Sequence, residues 1–398
     1  MNPSATGWIA KHLPFFLEHT AAELESDEQL YHKLRKNGFI YGNSISTLFD
    51  DESLNLTWTA EEKAKINLFD ALVYTYYDSI DNANPTNCIN SIIEFYKVLD
   101  RSKSTSFFRL PSITSKPSEV LEKILDQRIQ TNESILQKNF SHLVTNALLY
   151  LDVLVFDEYL MQEDDPRVFA EHLEAIIVNT VFLALDQKQE KHAYDVLLIH
   201  LIKSSLRYHK IETDSTITAK NLDLTVIDHL LIQRYVVDMA CLAVYNNKEL
   251  DRKEHAYILK LGEQIQLGSH EVTSAINSMQ NFIDEHLEQI SYFKYSNPVK
   301  HFYTSMSRTV STLILRNKNR VMAELNESKD LVYLLAQSSV RDLNDKEKKQ
   351  IKDQLLDLCK TIPSFAIFVL PGGGVLLPLL VKFIPQLLPS AFNENKVD

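Results

Sequence analysis

Apolar residues recur at intervals of three and four along most of the chain, with Glu, Lys, Gln and Asp between them. This spacing places the apolar side chains on one face of an α-helix. Two stretches, 170–187 and 191–210, are apolar on more than one face, which indicates helices at the centre of the fold. The pattern predicts an all-α protein, a multi-helix elongated bundle.

Caps and helix breakers predict several boundaries. Thr59 and Glu62 have the spacing of a capping box, which predicts a helix from there to about Asp81. The sequence NANP at 82–85 predicts a turn, followed by a helix capped by Thr86 or Asn87. A Ser-, Thr- and Pro-rich stretch at 101–119 is the best candidate linker, 211–221 is a second polar connection and Asn297-Pro298 a third break. Residues 338–360 predict a charged amphipathic helix.

These boundaries divide the chain into five units. They are an N-terminal helical region at 1–110, a central helical region at 115–215, a helical region at 220–296, connecting helices at 297–361 and an apolar C-terminal segment at 362–398.

Composition narrows the class of protein. Only 8 glycines occur in 398 residues, too few for most sandwiches, barrels and nucleotide-binding sheets. The formal charge of −12 argues against nucleic acid as a partner, since that binding relies on clustered Lys and Arg. Three widely spaced cysteines favour neither a disulfide framework nor a zinc site. The N-terminus lacks the pattern of a secretory signal. We expect it to form a helix that caps the core, with a short amphipathic anchor as the alternative.

Candidate chemistry is weak. The chain has no GxxxxGK[ST], GxGxxG or GxSxG motif and no histidine with a Glu three residues before it. His192 and His200 lie two helical turns apart, and acidic residues cluster at 157–165. Both features are typical of ordinary helix surfaces. The sequence therefore predicts a non-enzymatic protein with no cofactor.

An internal region, 230–272, resembles the TerB-type domain of tellurite-resistance proteins. An apolar helix, a short acidic turn, a second helix and a polar cap follow one another. In that family the turn usually reads Asp-Gly-Glu and has been linked to cation binding, whereas Asn246-Asn247-Lys248-Glu249 stands here. Asp251 and Glu254 remain as weak metal candidates, so the resemblance implies the fold more than the metal site.

The C-terminal stretch Pro363–Phe392 is almost wholly apolar, with Lys382 as its only charged residue. A continuous helix over 365–388 would be long enough to cross a bilayer, which takes about 20 residues. However, PGGG at 371–374 would cost about 3 kcal/mol for the proline and about 1 kcal/mol for each glycine inside a helix. A hairpin of two helices around a Pro/Gly break is therefore the cheaper structure.

The same stretch resembles the membrane-segment signature of the LETM1 family. Residues on its positions are Pro371, Leu376, Leu377, Pro378, Lys382, Pro385, Leu388, Pro389, Ser390 and Phe392, and Gly372, Gly373 and Gly374 complete the break. What precedes it resembles bacterial LETM1-related proteins, some of them named as biofilm-associated, and the start MNPSATGWI points the same way.

The resemblance implies a family of mitochondrial inner-membrane proteins associated with cation/proton exchange and with ribosome binding through a domain after the span. Gly374 stands where animal members have a glutamate just before LLP. The chain also continues for only six residues after Phe392. We therefore expect the ribosome-binding domain to be missing and do not expect the ribosome as a partner.

The leading hypothesis is a LETM1-related structural or interaction component. Residues 363–392 would associate with the cytoplasmic face of the bacterial cytoplasmic membrane or with a partner protein, and the helical body would stay in the cytoplasm. One alternative is a subunit of a cation/proton exchange system involved in ion homeostasis, which would need oligomerisation or acids from elsewhere. The other is a fully soluble cytoplasmic interaction module.

Overall fold

The computed structural model describes residues 1–49, 58–100, 116–129, 148–162, 165–186, 227–245, 250–286, 307, 309–338, 341–362, 365 and 377–384, and these contain helices and no strand. The all-α prediction is confirmed. The helices are α1 (Trp8–Glu23), α2 (Asp27–Lys36), α3 (Ala60–Ser79), α4 (Pro85–Asp100), α5 (Pro117–Ile129), α6 (Leu149–Met161), α7 (Pro166–Asp186), α8 (Leu230–Val244), α9 (Arg252–Gln264), α10 (Ser269–His286), α11 (Lys318–Glu327), α12 (Lys329–Ser338), α13 (Asp345–Thr361) and α14 (Leu377–Phe383).

The capping box at the start of α3 is present as predicted. The Thr59 hydroxyl accepts a hydrogen bond from the backbone N–H of Glu62, and the Glu62 carboxylate accepts one from the backbone N–H of Thr59. The next helix begins earlier than expected, at Pro85, where Asn84 accepts from the backbone N–H of Asn87. Proline is well suited to the first helical position because it has no N–H to leave unsatisfied.

Two other predicted boundaries need correction or lie outside the described residues. α5 already begins at Pro117, so the last residues of the candidate linker 101–119 are helical. The stretches 191–210 and 211–221 and the break at Asn297-Pro298 are outside the described residues.

Helices α1 to α10 share one hydrophobic core. α7 packs against α6 and α8, and α6 also packs against α3. The N-terminal helix contributes Trp8, Ile9 and Phe16, which are at most 2% exposed, so it belongs to the core as the sequence analysis expected. The core residues run from Trp8 to Ile283, and the three N-terminal regions of the sequence analysis therefore pack together.

Buried ion pairs join distant helices within this body. Arg35 of α2 donates two hydrogen bonds to Asp238 of α8, of 3.0 Å from Nε and 2.7 Å from Nη2, and Tyr31 donates a third of 2.5 Å. Arg128 of α5 donates hydrogen bonds to both carboxylate oxygens of Asp152 in α6. Because a buried carboxylate is costly unless it is paired, each pair fixes the contact between its two helices.

The N-terminus of α1 is capped by a distant side chain. The Glu122 carboxylate of α5 accepts hydrogen bonds of 2.9 Å from the backbone N–H groups of Gly7 and Ile9. The free N–H groups of a first helical turn need such acceptors. Glu122 thereby ties α1 to α5.

Helices α11 to α14 and the helical residues 309–316 form a second core. Its buried residues run from Val310 to Ile384, and we call residues 309–384 the C-terminal module. The predicted helix at 338–360 begins only at Asp345, where Asn344 and Glu347 form a capping box. The helix starts there because the Asn344 side chain accepts the hydrogen bond from a backbone N–H that a preceding helical turn would otherwise accept.

Candidate interaction surface in the C-terminal module

The apolar signature is only partly described. Leu377 is the first residue of α14, Pro378 and Lys382 are exposed, and the Lys382 ammonium lies 5.3 Å from the centre of the Phe383 ring. The other signature residues, namely Pro371, Gly372, Gly373, Gly374, Leu376, Pro385, Leu388, Pro389, Ser390 and Phe392, lie outside the described residues.

The described apolar residues of this segment pack inside the protein. Phe365, Leu380 and Ile384 are 0% exposed, and Leu379 is 6% exposed. They join the second core with Leu355 of α13 and Leu335 of α12. α14 has 7 residues and is about 10 Å long, whereas a bilayer core is about 30 Å thick. This helix alone does not span a membrane.

An ion pair docks the C-terminal module on the body. Arg316 donates hydrogen bonds of 2.7 and 2.9 Å to the two carboxylate oxygens of Glu62. Glu62 is 3% exposed and also accepts from Ser4 and from the Thr59 backbone. The capping carboxylate of α3 is thus one attachment point for the module.

The C-terminal module differs from the rest of the chain in charge. Residues 309–384 hold 11 Lys and Arg and 8 Asp and Glu, within a chain whose net charge is −12. Lys346, Lys348, Lys349 and Lys352 are exposed near the start of α13. Within the described parts of the chain none of these four lysines has an ion-pair partner, so the patch keeps its positive charge.

The acids of α13 are partly committed elsewhere. Glu347 accepts hydrogen bonds of 2.7 and 3.0 Å from Arg341 and one of 2.9 Å from the Asn344 backbone. The Arg341 guanidinium, with this N–H, lowers the pKa of Glu347 to about 2. Asp357 pairs with Lys360 at 2.7 Å. Glu347 is therefore ionised at neutral pH, and both carboxylates already have a basic partner.

The weak metal candidates have a structural role. Asp251 caps α9, accepting from the backbone N–H groups of Lys253 and Glu254. The Glu254 carboxylate in turn accepts from the backbone N–H of Asp251 at 2.9 Å. Their oxygens therefore serve a capping box, which their spacing in the sequence could have indicated.

The described acids of the cluster at 157–165 have other partners. Asp157 accepts a hydrogen bond of 3.3 Å from Ser79, and Asp165 pairs with Arg167 at 2.8 Å. His192 and His200 lie outside the described residues. In the part of the chain that the structure describes, no group of three His, Cys, Asp or Glu side chains is arranged to hold a metal ion.

One described helix is long and apolar enough to cross a membrane. It covers Pro166–Leu185 of α7, and 56% of its most apolar window is buried inside the protein. Leu173, Ile177 and Leu185 are 0% exposed. This helix is a central core helix of the body, as the sequence analysis expected for residues 170–187.

The fold and the signature define the class: an all-α protein whose C-terminal segment is LETM1-like. Residues 343–398 match the family described as "LETM1-like, RBD". The chain is also 36% identical over 73 residues to the LETM1 domain-containing protein mdm28, mitochondrial, of Schizosaccharomyces pombe (strain 972 / ATCC 24843), which covers 18% of this chain and 15% of that protein. No solved structure matches the chain.

These comparisons confirm the predicted LETM1 resemblance for the C-terminal segment. The family match begins at residue 343 and so includes α13 and α14. The match described as RBD covers the signature itself, whereas the resemblance alone implies a ribosome-binding domain beyond Phe392. The TerB-like and biofilm-associated resemblances stay predictions.

Proposed function

We propose that this chain is a non-enzymatic, LETM1-related interaction component. Its C-terminal segment associates with the cytoplasmic face of the bacterial cytoplasmic membrane, and its body of helices α1 to α10 remains in the cytoplasm. The LETM1-like match of residues 343–398 supports the family assignment.

The separation of the two hydrophobic cores is the observation that carries the proposal. In the described residues, the first core ends at Ile283 and the second begins at Val310. A C-terminal module with its own core can change its surroundings without exposing the core of the body. Membrane association of the module therefore costs the body none of its apolar packing.

The module also has exposed apolar side chains. Leu315 and Tyr333 are each 62% exposed, the largest exposed fractions among the large apolar residues of the described chain. Leucine and tyrosine at this exposure can enter the interfacial region of a bilayer, since the phenol group stays hydrated while the ring is buried. An association at the surface thus requires no transmembrane helix.

A second candidate function, a fully soluble interaction module, is favoured by a different observation. Phe365, Leu380 and Ile384 are completely buried in the second core. In this case the apolar segment completes the module in water. The two candidates differ in where the full-length chain is found in a cell.

Membrane fractionation distinguishes them. The full-length chain and a variant that ends at Ile362 are expressed, and membranes are pelleted and washed in neutral buffer of physiological ionic strength. We expect the full-length chain in the washed pellet and the shortened chain in the supernatant. Full-length chain in the supernatant would support the soluble module instead.

The shortened chain needs a folding control. Trp8 and Trp58, the 2 tryptophans of the sequence, both lie in the body, so their fluorescence reports on the first core. An unchanged emission maximum shows that the body is intact. If the shortened chain pellets with membranes just as strongly, the C-terminal segment is not the attachment site.

A further inference from the structure

The start of α13 carries a dense group of positive charges. Lys346, Lys348, Lys349 and Lys352 fall within seven residues, and all four side chains are exposed. Residues three and four apart are neighbours on a helix surface. Lys348, Lys349 and Lys352 therefore lie on one side of α13, with Lys346 in the adjoining turn, and we call these four residues the lysine patch.

The lysine patch is not neutralised by its surroundings. Of the acids on α13, Glu347 is held by Arg341 and Asp357 by Lys360. Asp345 and Asp353 remain beside four lysines. The patch keeps a net positive charge, and ammonium groups without protein partners can bind an external anion.

The distribution of charge over the molecule determines which side of the chain an anionic surface attracts. The C-terminal module has a small excess of basic residues, while the chain as a whole carries −12. An anionic surface attracts the module and repels the body. Such a surface would therefore bind the chain in one orientation, with α13 towards it.

The position of the patch favours a membrane over a nucleic acid. The patch lies on an amphipathic helix, α13, whose end at Thr361 leads into the apolar segment of residues 363–392, and clusters of Lys on an amphipathic helix bind anionic lipids. Single-stranded RNA is usually bound with aromatic rings that stack on its bases, and residues 346–352 contain no aromatic side chain.

We propose that the lysine patch of α13 binds the anionic headgroups of a lipid bilayer and orients the C-terminal module on it. This inference rests on the proposed function, because it names the lipid chemistry that the membrane-associated module selects. Each lysine near an anionic surface strengthens binding about fivefold. Loss of the whole patch is expected to weaken binding at least about tenfold.

Vesicle co-sedimentation of the full chain tests the proposal. The vesicles contain phosphatidylcholine alone or mixed with phosphatidylglycerol, and the patch variant carries K346Q, K348Q, K349Q and K352Q. A matched variant changes four exposed lysines of the body, Lys36, Lys123, Lys253 and Lys260, to glutamine. Both variants lose the same charge, so only the position differs.

The expected result is a loss of at least about tenfold in affinity for the anionic vesicles in the patch variant. The body variant should stay within about twofold of the unchanged chain, and added salt should weaken the unchanged chain more than the patch variant. Unchanged helical circular dichroism shows that the variants are folded.

Four results would overturn the proposal. If the patch variant binds anionic vesicles like the body variant, the lysines are not the contact. A single-stranded RNA could displace the chain from the vesicles at a lower concentration than the lipid, and this displacement could require the same four lysines. In that case the patch is a nucleic-acid site. If the unchanged chain binds neutral and anionic vesicles equally, the lipid selectivity is absent while the proposed function stands, and binding to neither overturns both.

Discussion

Replacing Arg35 with Met removes the charged partner of Asp238, a fully buried carboxylate that joins α2 to α8. Arg35 is 2% exposed and Asp238 is 0% exposed. The change deletes two hydrogen bonds, of 2.7 and 3.0 Å, to Asp238. Tyr31 keeps its bond of 2.5 Å to the same oxygen, so the carboxylate is left buried with one side-chain donor.

The expected loss follows from this geometry. Removing one partner of a buried ion pair costs about 3–5 kcal/mol, because the remaining charge stays desolvated. With a urea dependence of about 3 kcal/mol per molar, the unfolding midpoint should fall by about 1–1.7 M. Tyr31→Phe removes only one bond to a charged group and should cost about 1.5–3 kcal/mol.

The assay is urea unfolding followed by tryptophan fluorescence. Both tryptophans lie in the body, with Trp8 2% and Trp58 8% exposed, so the C-terminal module does not contribute to the signal. The control is Arg167→Met, which breaks an exposed pair with Asp165 and should cost about 0–1 kcal/mol. If Arg35→Met shifts the midpoint no more than this control, the buried pair does not hold the body together.

The pH dependence of the same variant provides a further check. Burial raises the pKa of Asp238, and the charge of Arg35 opposes that rise. Without Arg35 the folded-state pKa rises further above the unfolded value, so the folded state binds a proton more readily. The stability deficit of the variant should therefore shrink as the pH is lowered from 8 towards 5.

Three further predictions concern docking, titration and transport. Arg316→Gln removes the charge that pairs with Glu62, so the C-terminal module should separate from the body and the radius of gyration in small-angle scattering should increase. Arg320→Gln, a change at an exposed neighbour, should leave the radius unchanged. Equal radii for the two variants would contradict the docking contact. Burial and neighbouring carboxylates raise the pKa of Asp27 to about 6, so the free energy of unfolding should increase as the pH falls through 6. Asp27→Asn should flatten that pH dependence in urea titrations at several pH values. An unchanged pH dependence would rule out Asp27 as its source. The chain alone should not exchange cations for protons in liposomes with an imposed pH gradient, because residues 361–393 contain no acid; flux above empty liposomes that Gly374→Glu does not increase would refute this.

Local signals in the sequence predicted local structure well. The capping box of Thr59 and Glu62 places the start of α3 because its hydrogen bonds span only three residues. The same pattern at Asn344 and Glu347 was present in the sequence and would have corrected the start of α13. The start of a helix can thus be predicted from the sequence wherever the capping residues are a few positions apart.

Ion pairs between residues far apart in the sequence could not be predicted in this way. Arg35 and Asp238 are 203 residues apart, and Arg316 and Glu62 are 254 residues apart. Each partner alone looks like an ordinary charged residue on a helix, and only the packing of the helices selects the pair. The junction between body and module was therefore invisible in the sequence.

The candidate site was predicted in part. The apolar signature was found through its resemblance, because its prolines and glycines have a distinctive spacing. The lysines of α13 are visible in the sequence, but alternating acids hide their significance. Only the structure shows that Glu347 is taken by Arg341 and that the lysine patch stays positive.

Direct contact between the C-terminal segment and lipid acyl chains tests the central claim. Phe392→Trp places a fluorophore in the signature, and vesicles containing phosphatidylglycerol with brominated acyl chains quench tryptophan that enters the bilayer. Trp8 and Trp58 are buried in the body and give a constant background. We predict that the brominated lipid quenches the new tryptophan and not the background of the unchanged chain, whereas equal fluorescence in brominated and unbrominated vesicles would contradict membrane association through this segment.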